Sequence, residues 1–205
     1  ACQGSSFNFE DNYALQVEIG INSVNEVPVF PSFASVSAAE NQKTIGSVTV
    51  THHENATLSY SSSGTDASSL AISSAAVLRF GPAPNYESKN SYSATVATSD
   101  GTNSTTQDVT ISVTDVNDAP VATAAAYTMN LKPQSQTSGT LTLAGTDEDG
   151  NTLTYSIVSN GSYGTASLSG TTVTYQTAAD TQSAQSESFT FKVNDGTVDS
   201  SAATI

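Results

Sequence analysis

Apolar and polar residues alternate over several short runs of this chain: Ile45-Gly-Ser-Val-Thr-Val50, Val109-Thr-Ile-Ser-Val113, Gly139-Thr-Leu-Thr-Leu143 and Phe189-Thr-Phe-Lys-Val193. Successive side chains on a strand face opposite ways, so each run buries one face and leaves Ser, Thr or Lys on the other. The β-branched content of the runs agrees with that reading. No stretch sustains a helical period. Turn dipeptides punctuate the runs at Ser63-Gly64, Asp100-Gly101, Asp149-Gly150, Asn160-Gly161, Ser169-Gly170 and Asp195-Gly196. Many short strands with such punctuation predict an all-β chain of antiparallel Greek-key β-sandwiches. Tyr60, Phe80, Tyr92, Tyr155, Tyr175, Phe189 and Phe191 stand at alternating strand positions and are expected in the cores, whereas Tyr163, inside Asn160-Gly-Ser-Tyr163-Gly, is expected to be exposed.

An internal repeat sets the organisation. Thr51-His-His-Glu-Asn-Ala-Thr-Leu-Ser-Tyr60 aligns without gaps on Thr146-Asp-Glu-Asp-Gly-Asn-Thr-Leu-Thr-Tyr155, and the same offset of 95 residues carries Ser99-Asp100-Gly101 onto Asn194-Asp195-Gly196. Two separated strings in one register imply tandem modules. A second repeated string, Ser23-Val-Asn-Glu-Val-Pro-Val29 against Asp115-Val-Asn-Asp-Ala-Pro-Val121, ends each time in a proline suited to a linker that enters a new strand. The expected modules are therefore residues 27–118 and 119–205. Residues 1–26 read as the tail of a preceding repeat plus its linker, because Asn8-Phe9-Glu10 and Tyr13-Ala-Leu-Gln-Val17 echo Asn85-Tyr86-Glu87 and Tyr92-Ser-Ala-Thr-Val96. That echo omits a hairpin present in the next copy, which leaves two readings open: the hairpin is missing, or residues 1–18 pair elsewhere.

Charge narrows the function classes. Five Lys and Arg stand against 19 Asp and Glu, a formal charge of −14. The basic residues lie far apart, so no phosphate-binding surface is expected, and neither nucleic acid nor insertion into a membrane is a predicted role for this segment. With Cys2 as its one cysteine the chain forms no internal disulfide or thiolate zinc site. No apolar run approaches the length of a membrane span. An excess of carboxylates is relieved in secreted proteins by a divalent cation held by oxygen ligands, and the acids here cluster in the repeated loops.

Those strings resemble the cadherin superfamily, and in particular the cadherin-like and bacterial Ig-like tandem repeats of large, RTX-type bacterial surface adhesins. Ser37-Ala-Ala-Glu40-Asn41 is similar to the family's Ala-Glu-Asn string, Pro84-Asn85-Tyr86-Glu87 to its Asp-Tyr-Glu string, Thr98-Ser-Asp100-Gly101 to its Ala-x-Asp-Gly string and Asp115-Val-Asn-Asp118 to its linker signature. The second module resembles the bacterial Ig-like repeats through Asp147-Glu-Asp-Gly-Asn-Thr-Leu-Thr-Tyr155, Gly164-Thr-Ala-Ser-Leu168 and Ser188-Phe-Thr-Phe-Lys-Val-Asn-Asp-Gly196. The resemblance implies calcium at the junction between the modules, held by Glu40, Glu87, Asp115, Asn117, Asp118, Asp147, Asp149 and Asp195. Asn85 and Ala119 depart from the family pattern, which puts one ion position in doubt. At the preceding junction it implies a poorer set, Glu10, Asn25, Glu26, Glu54 and Asp100, because Ser23 stands for Asp115 and His52-His53-Glu54 for Asp147-Glu148-Asp149.

The histidine pair invites a rival transition-metal site at His52 and Glu54. Neighbours on a strand face apart, however, and exposed loop histidines are the expectation. No nucleophile elbow, phosphate loop or His-Glu-x-x-His string is present, so no enzyme is predicted. The implied function is that of calcium-rigidified extender or adhesion repeats at a bacterial cell surface, with the neighbouring repeats of the same chain as partners and cell-surface or carbohydrate ligands met through other domains. The alternative is a carbohydrate-binding cadherin-like module of a secreted polysaccharide-associated protein, against which the absence of Trp and the core placement of the aromatics count.

Overall fold

A computed structural model describes residues 24–32, 34–54, 56–130, 137–178 and 186–205. The expected partial repeat, including Glu10, lies outside the described residues apart from its linker at 24–26. Among the described residues the first half carries β1 (Ser35–Ala39), β2 (Thr44–Ser47), β3 (Ser59–Ser63), β4 (Leu70–Ile72), β5 (Val77–Phe80), β6 (Ser91–Ser99) and β7 (Ser104–Thr114). The second half carries β8 (Val121–Ala122), β9 (Ser138–Thr142), β10 (Gly145–Thr146), β11 (Thr154–Ser159), β12 (Gly164–Ser169), β13 (Thr172–Thr177), β14 (Thr190–Asn194) and β15 (Ala203–Thr204). A single turn of 3-10 helix at Ala67–Ser69 interrupts the strands, and no helix among the described residues is long and apolar enough to cross a membrane.

In the first half a sheet ordered β1-β7-β6-β3 faces a sheet ordered β2-β5-β4. The β6–β7 hairpin is its longest ladder, in register from Ser91↔Ser112 to Ser99↔Ser104. The predicted Asp100-Gly101 turn closes it: Gly101 adopts φ +95°, and Asp100 Oδ1 accepts the N–H groups of Thr102 and Asn103 at 2.7 and 2.6 Å. One pairing departs from an all-antiparallel expectation. β1 runs parallel to β7, from Ser35↔Thr110 to Ala39↔Thr114, before the chain passes to the opposite sheet at β2. The run predicted over Ile45–Val50 is split for a related reason: β2 leaves β5 after Ser47, and Thr51 pairs instead with Val29 of the incoming linker.

The second half folds as a sheet β12-β13-β9 and a sheet β11-β14-β15, with a short β8–β10 pair beside them. Gly170, at φ +60°, turns β12 into β13 at the predicted Ser169-Gly170 position. Each half has its own core. Leu78, Val96, Val109 and Ile111 are fully buried in one, with Tyr60, Phe80 and Tyr92 packed there. Val173, Phe191 and Val193 are fully buried in the other, with Tyr155, Tyr175 and Phe189. Tyr155 stacks on Phe191 and Tyr175 on Phe189, at ring separations of 6.5 and 6.0 Å. Full burial of such a side chain stabilises the fold by about 1.5–3 kcal/mol. The two clusters share no residue. Tyr163 is half exposed, as its place in a turn suggests, and so is Tyr127.

Candidate metal centre

Loops from both halves meet at the linker that follows β7. Glu40 comes directly after β1 and is buried. Its carboxylate is fixed on both oxygens by backbone donors: Tyr86 N–H reaches Oε2 at 2.7 Å, and Val116 N–H reaches Oε1 at 2.8 Å. Glu40 thus ties the turn at 84–88 to the linker, and its neighbours come within reach. Glu87 lies in that turn, Asp115 follows the last residue of β7, and Asp149 arrives from the β10–β11 connection, where Gly150 takes φ +74°. Each of these four residues brings a carboxylate oxygen to within 4.8 Å of the others.

The remaining expected ligands flank this group. Asp118 N–H donates to Asp149 Oδ2 at 2.8 Å, and Asp118 Oδ1 accepts from Asn41 Nδ2 at 3.0 Å. Asn117 Nδ2 donates to Asp195 Oδ2 at 2.8 Å, while Asp195 Oδ1 takes the N–H groups of Thr197 and Val198. Asp147 Oδ1 accepts Asn151 N–H at 2.8 Å. Among the described residues, two carboxylate oxygens are buried without a partner: Asp147 Oδ2 and Asp149 Oδ1. A buried acceptor left without a donor is costly, so the pair marks a place where a cation would be held.

The electrostatics agree. Loss of hydration and the adjacent Asp149 carboxylate push the Asp115 pKa up, with Glu40 and Asp118 adding to the shift. At Asp118 loss of hydration also raises the pKa; the Asn41 amide opposes it, and Glu40, Glu148 and Asp149 reinforce it. Glu87 has its own backbone N–H pulling the pKa down, yet loss of hydration and the charges of Glu40, Asp149 and Asp115 leave it raised. Asp195 differs, because the Asn117 amide and the backbone donors of its turn hold it below the ordinary carboxylate range.

These residues fit a hard divalent cation. Oxygens at about 2.3–2.6 Å from one calcium ion stand at most about 5 Å apart, which the four-carboxylate group satisfies. All the donors are oxygens, which favours calcium or magnesium over zinc or copper. Two contributors carry no sequence signal of their own. Asn85, which departs from the family's acidic pattern, donates its side-chain amide to Glu148 of the other half, 63 residues away. Asn41 is legible only as the partner of Glu40; its φ of +61° places it in the left-handed region that asparagine tolerates.

The linker at residues 24–26 repeats part of this geometry with the loops of the first half. Asn25 Nδ2 donates to Asp100 Oδ2 at 3.1 Å, as Asn117 does to Asp195. Glu26 N–H donates to Glu54 Oε2 at 3.3 Å, as Asp118 N–H does to Asp149. Asp100 is held down to about 2, first by the backbone N–H groups of Asn103 and Thr102 and then by Asn25 and His52. The expectation of two exposed histidines is corrected here. His53 is exposed, but the side chain of His52 is only 3% accessible, because the turn directs it inward against Asp100.

Comparison with known proteins agrees with this architecture. Residues 117–205 match the family model described as a bacterial Ig domain. The crystal structure of human protocadherin-24 EC1-2 is similar over 89% of this chain and 94% of that one, with a TM-score of 0.55 at 18% identity. Drosophila N-cadherin EC1-4 is similar over 88% of this chain and 48% of that one, at a TM-score of 0.52 and 21% identity, so the chain spans about half of that fragment. No curated protein sequence matches. At these identities the likeness carries the fold: the chain is built of cadherin-like and Ig-like β-sandwich modules.

Proposed function

We propose that the chain is an extender segment of a bacterial cell-surface adhesin, in which two sandwich modules, at about residues 27–118 and 119–205, are stiffened by calcium at their junction. The observation that carries this reading is the convergence of Glu40, Glu87 and Asp115 from one side with Asp149 from the other, beside the unpartnered buried oxygens of Asp147 and Asp149. Like charges gathered at a hinge repel, and a doubly positive ion among them turns the hinge into a strut. In this role Glu40, Glu87, Asp115 and Asp149 hold the ion directly. Asn117, Asp118, Asp147 and Asp195 complete or brace the site. The segment works outside the cell, its immediate partners are the neighbouring repeats, and ligand recognition belongs to other parts of the protein. No catalytic role is assigned to any residue.

Calorimetric titration with calcium, paired with small-angle scattering in calcium and in chelator, tests the reading. Calcium uptake accompanied by a narrower, more extended scattering distribution is the expected result. A chain that takes up no calcium and scatters identically in chelator sinks it.

A further inference from the structure

The two linkers make the same pair of hydrogen bonds to the loops that follow them, yet the loops differ in the group they turn toward the linker. Where the later copy has Asp147, whose Oδ2 is buried without a partner, the earlier copy has His52. The Nε2 atom of His52 lies 3.0 Å from the Glu26 carbonyl oxygen, 3.2 Å from Asp100 Oδ2 and 3.5 Å from Glu54 Oε2. A carbonyl and an ionised carboxylate only accept hydrogen bonds, so this nitrogen carries the proton. The Asp100 side chain is only 1% accessible and that of Glu54 22%. An N–H group therefore points into the set of oxygens that the later copy leaves open.

We infer that the junction at residues 24–26 is latched by the imidazole N–H of His52 in place of a metal ion, so that it closes without calcium. Asn25, Glu26, Glu54 and Asp100 do not fit a cation while that N–H occupies their midst. A divalent ion brought there would face a proton on Nε2 and would have to displace three contacts already made. Glu54 and Asp100 also lack the mutual approach of Glu40, Glu87, Asp115 and Asp149, the one such group of acids and histidines among the described residues. Among the differences between the two copies, this one puts a proton donor where the later copy presents a carboxylate. His53 is no part of the latch: it is exposed and lies 3.8 Å from the exposed Glu26 carboxylate.

Nuclear magnetic resonance on the isotope-labelled full chain tests this in two arms. In chelator, the wild-type His52 ring should show a hydrogen-bonded proton on Nε2. His52→Leu, which fills the space without a donor, should speed amide exchange at Glu26 by about tenfold or more, the scale of one lost hydrogen bond to a charged acceptor. His52→Gln, which keeps an N–H, should stay close to wild type. On adding calcium, the resonances of Asn25, Glu54 and Asp100 should stay in place, whereas His52→Asp should make them calcium-responsive. An Nε2 without a proton, unchanged exchange in His52→Leu, or calcium shifts at Glu54 and Asp100 in the wild type would each overturn the latch. If calcium moves nothing at residues 115–118, the proposed calcium junction fails and the latch still stands or falls on the chelator arm.

Discussion

The side-chain amide of Asn117 donates to Asp195 Oδ2 at 2.8 Å, and so a linker residue is pinned to the turn that follows β14. The other oxygen of Asp195 is already taken by the backbone N–H groups of Thr197 and Val198. Asp195 thereby anchors the linker at Asn117, next to Asp118, whose N–H donates to Asp149. Asn25 and Asp100 repeat the arrangement at the other linker. The recurring device in this chain is an amide-to-carboxylate tether, and what differs between the copies is the group it encloses.

Removing one charge from the four-carboxylate group should weaken calcium directly. Asp149→Asn keeps the shape and an acceptor for the Asp118 N–H but removes the side chain's negative charge. Calcium affinity is expected to fall by about tenfold or more, which is about 1.4 kcal/mol. Isothermal titration against the wild type measures it, with Asp108→Asn on the far β7 face as the control that leaves affinity unchanged.

The same group should make the calcium-free hinge sensitive to pH. Asp115 has its pKa raised in the folded state by loss of hydration and by neighbouring carboxylates. A raised carboxylate pKa means that the fold binds the proton more tightly than the unfolded chain does. Its contribution is thus present at acid pH and lost as the pH rises through the folded value. In chelator, Asp115→Asn should raise the melting temperature at neutral pH, and that advantage should fade as the solution is acidified toward the ordinary aspartate range. With calcium present the sign should reverse, since the wild-type carboxylate is then a ligand. Melts of both proteins across pH, with and without chelator, decide the matter.

Asp66 offers the opposite sign away from any metal. Its pKa is lowered, chiefly by a hydrogen bond from Lys89 and then by the Ser93 backbone N–H. A depressed carboxylate pKa gives stability that is present above the unfolded value and lost as the pH falls through the folded one. Asp66→Asn should therefore lower the melting temperature at neutral pH, and the difference should shrink in strong acid. Calcium should leave the effect unchanged.

The separate cores predict separable unfolding. Leu78→Ala empties a fully buried position in one cluster and should cost about 2–5 kcal/mol; Phe191→Ala does so in the other and should cost about 3–5 kcal/mol. In chelator, scanning calorimetry should resolve two transitions, each variant moving one of them. Calcium should draw the transitions together, because binding favours the folded state on both sides of the hinge.

Much of the fold could be read from residue order because a sandwich imposes a period of two on its strands. Val109 and Ile111 on β7 and Phe191 and Val193 on β14 fall on the buried face their alternation predicts. The turns at Gly101 and Gly170 could be read for the same reason, since each requires a positive φ. What alternation does not encode is which edge a strand joins. The parallel seat of β1 and the transfer of Thr51 to Val29 depend on where the linker enters. At the site, the acids of the repeated strings were legible as a set, but their roles were not. Each oxygen of Glu40 accepts one backbone N–H, which aims the carboxylate, and Asn85 bonds to Glu148 of the other half. The inward turn of His52 carried no signal, because burial of a loop histidine depends on acceptors from residues 26 and 100 that only the folded chain assembles.

The parallel ladder between β1 and β7 also has a mechanical consequence. A pull that draws residues before Ser35 one way and residues after Thr114 the other acts along both strands, in opposite senses. The rungs from Ser35↔Thr110 to Ala39↔Thr114 are then strained side by side and must give way together, whereas strands peeled apart from one end would yield rung by rung. The pairings of the second half are all antiparallel among the described residues, so under tension the first half is expected to be the stiffer of the two.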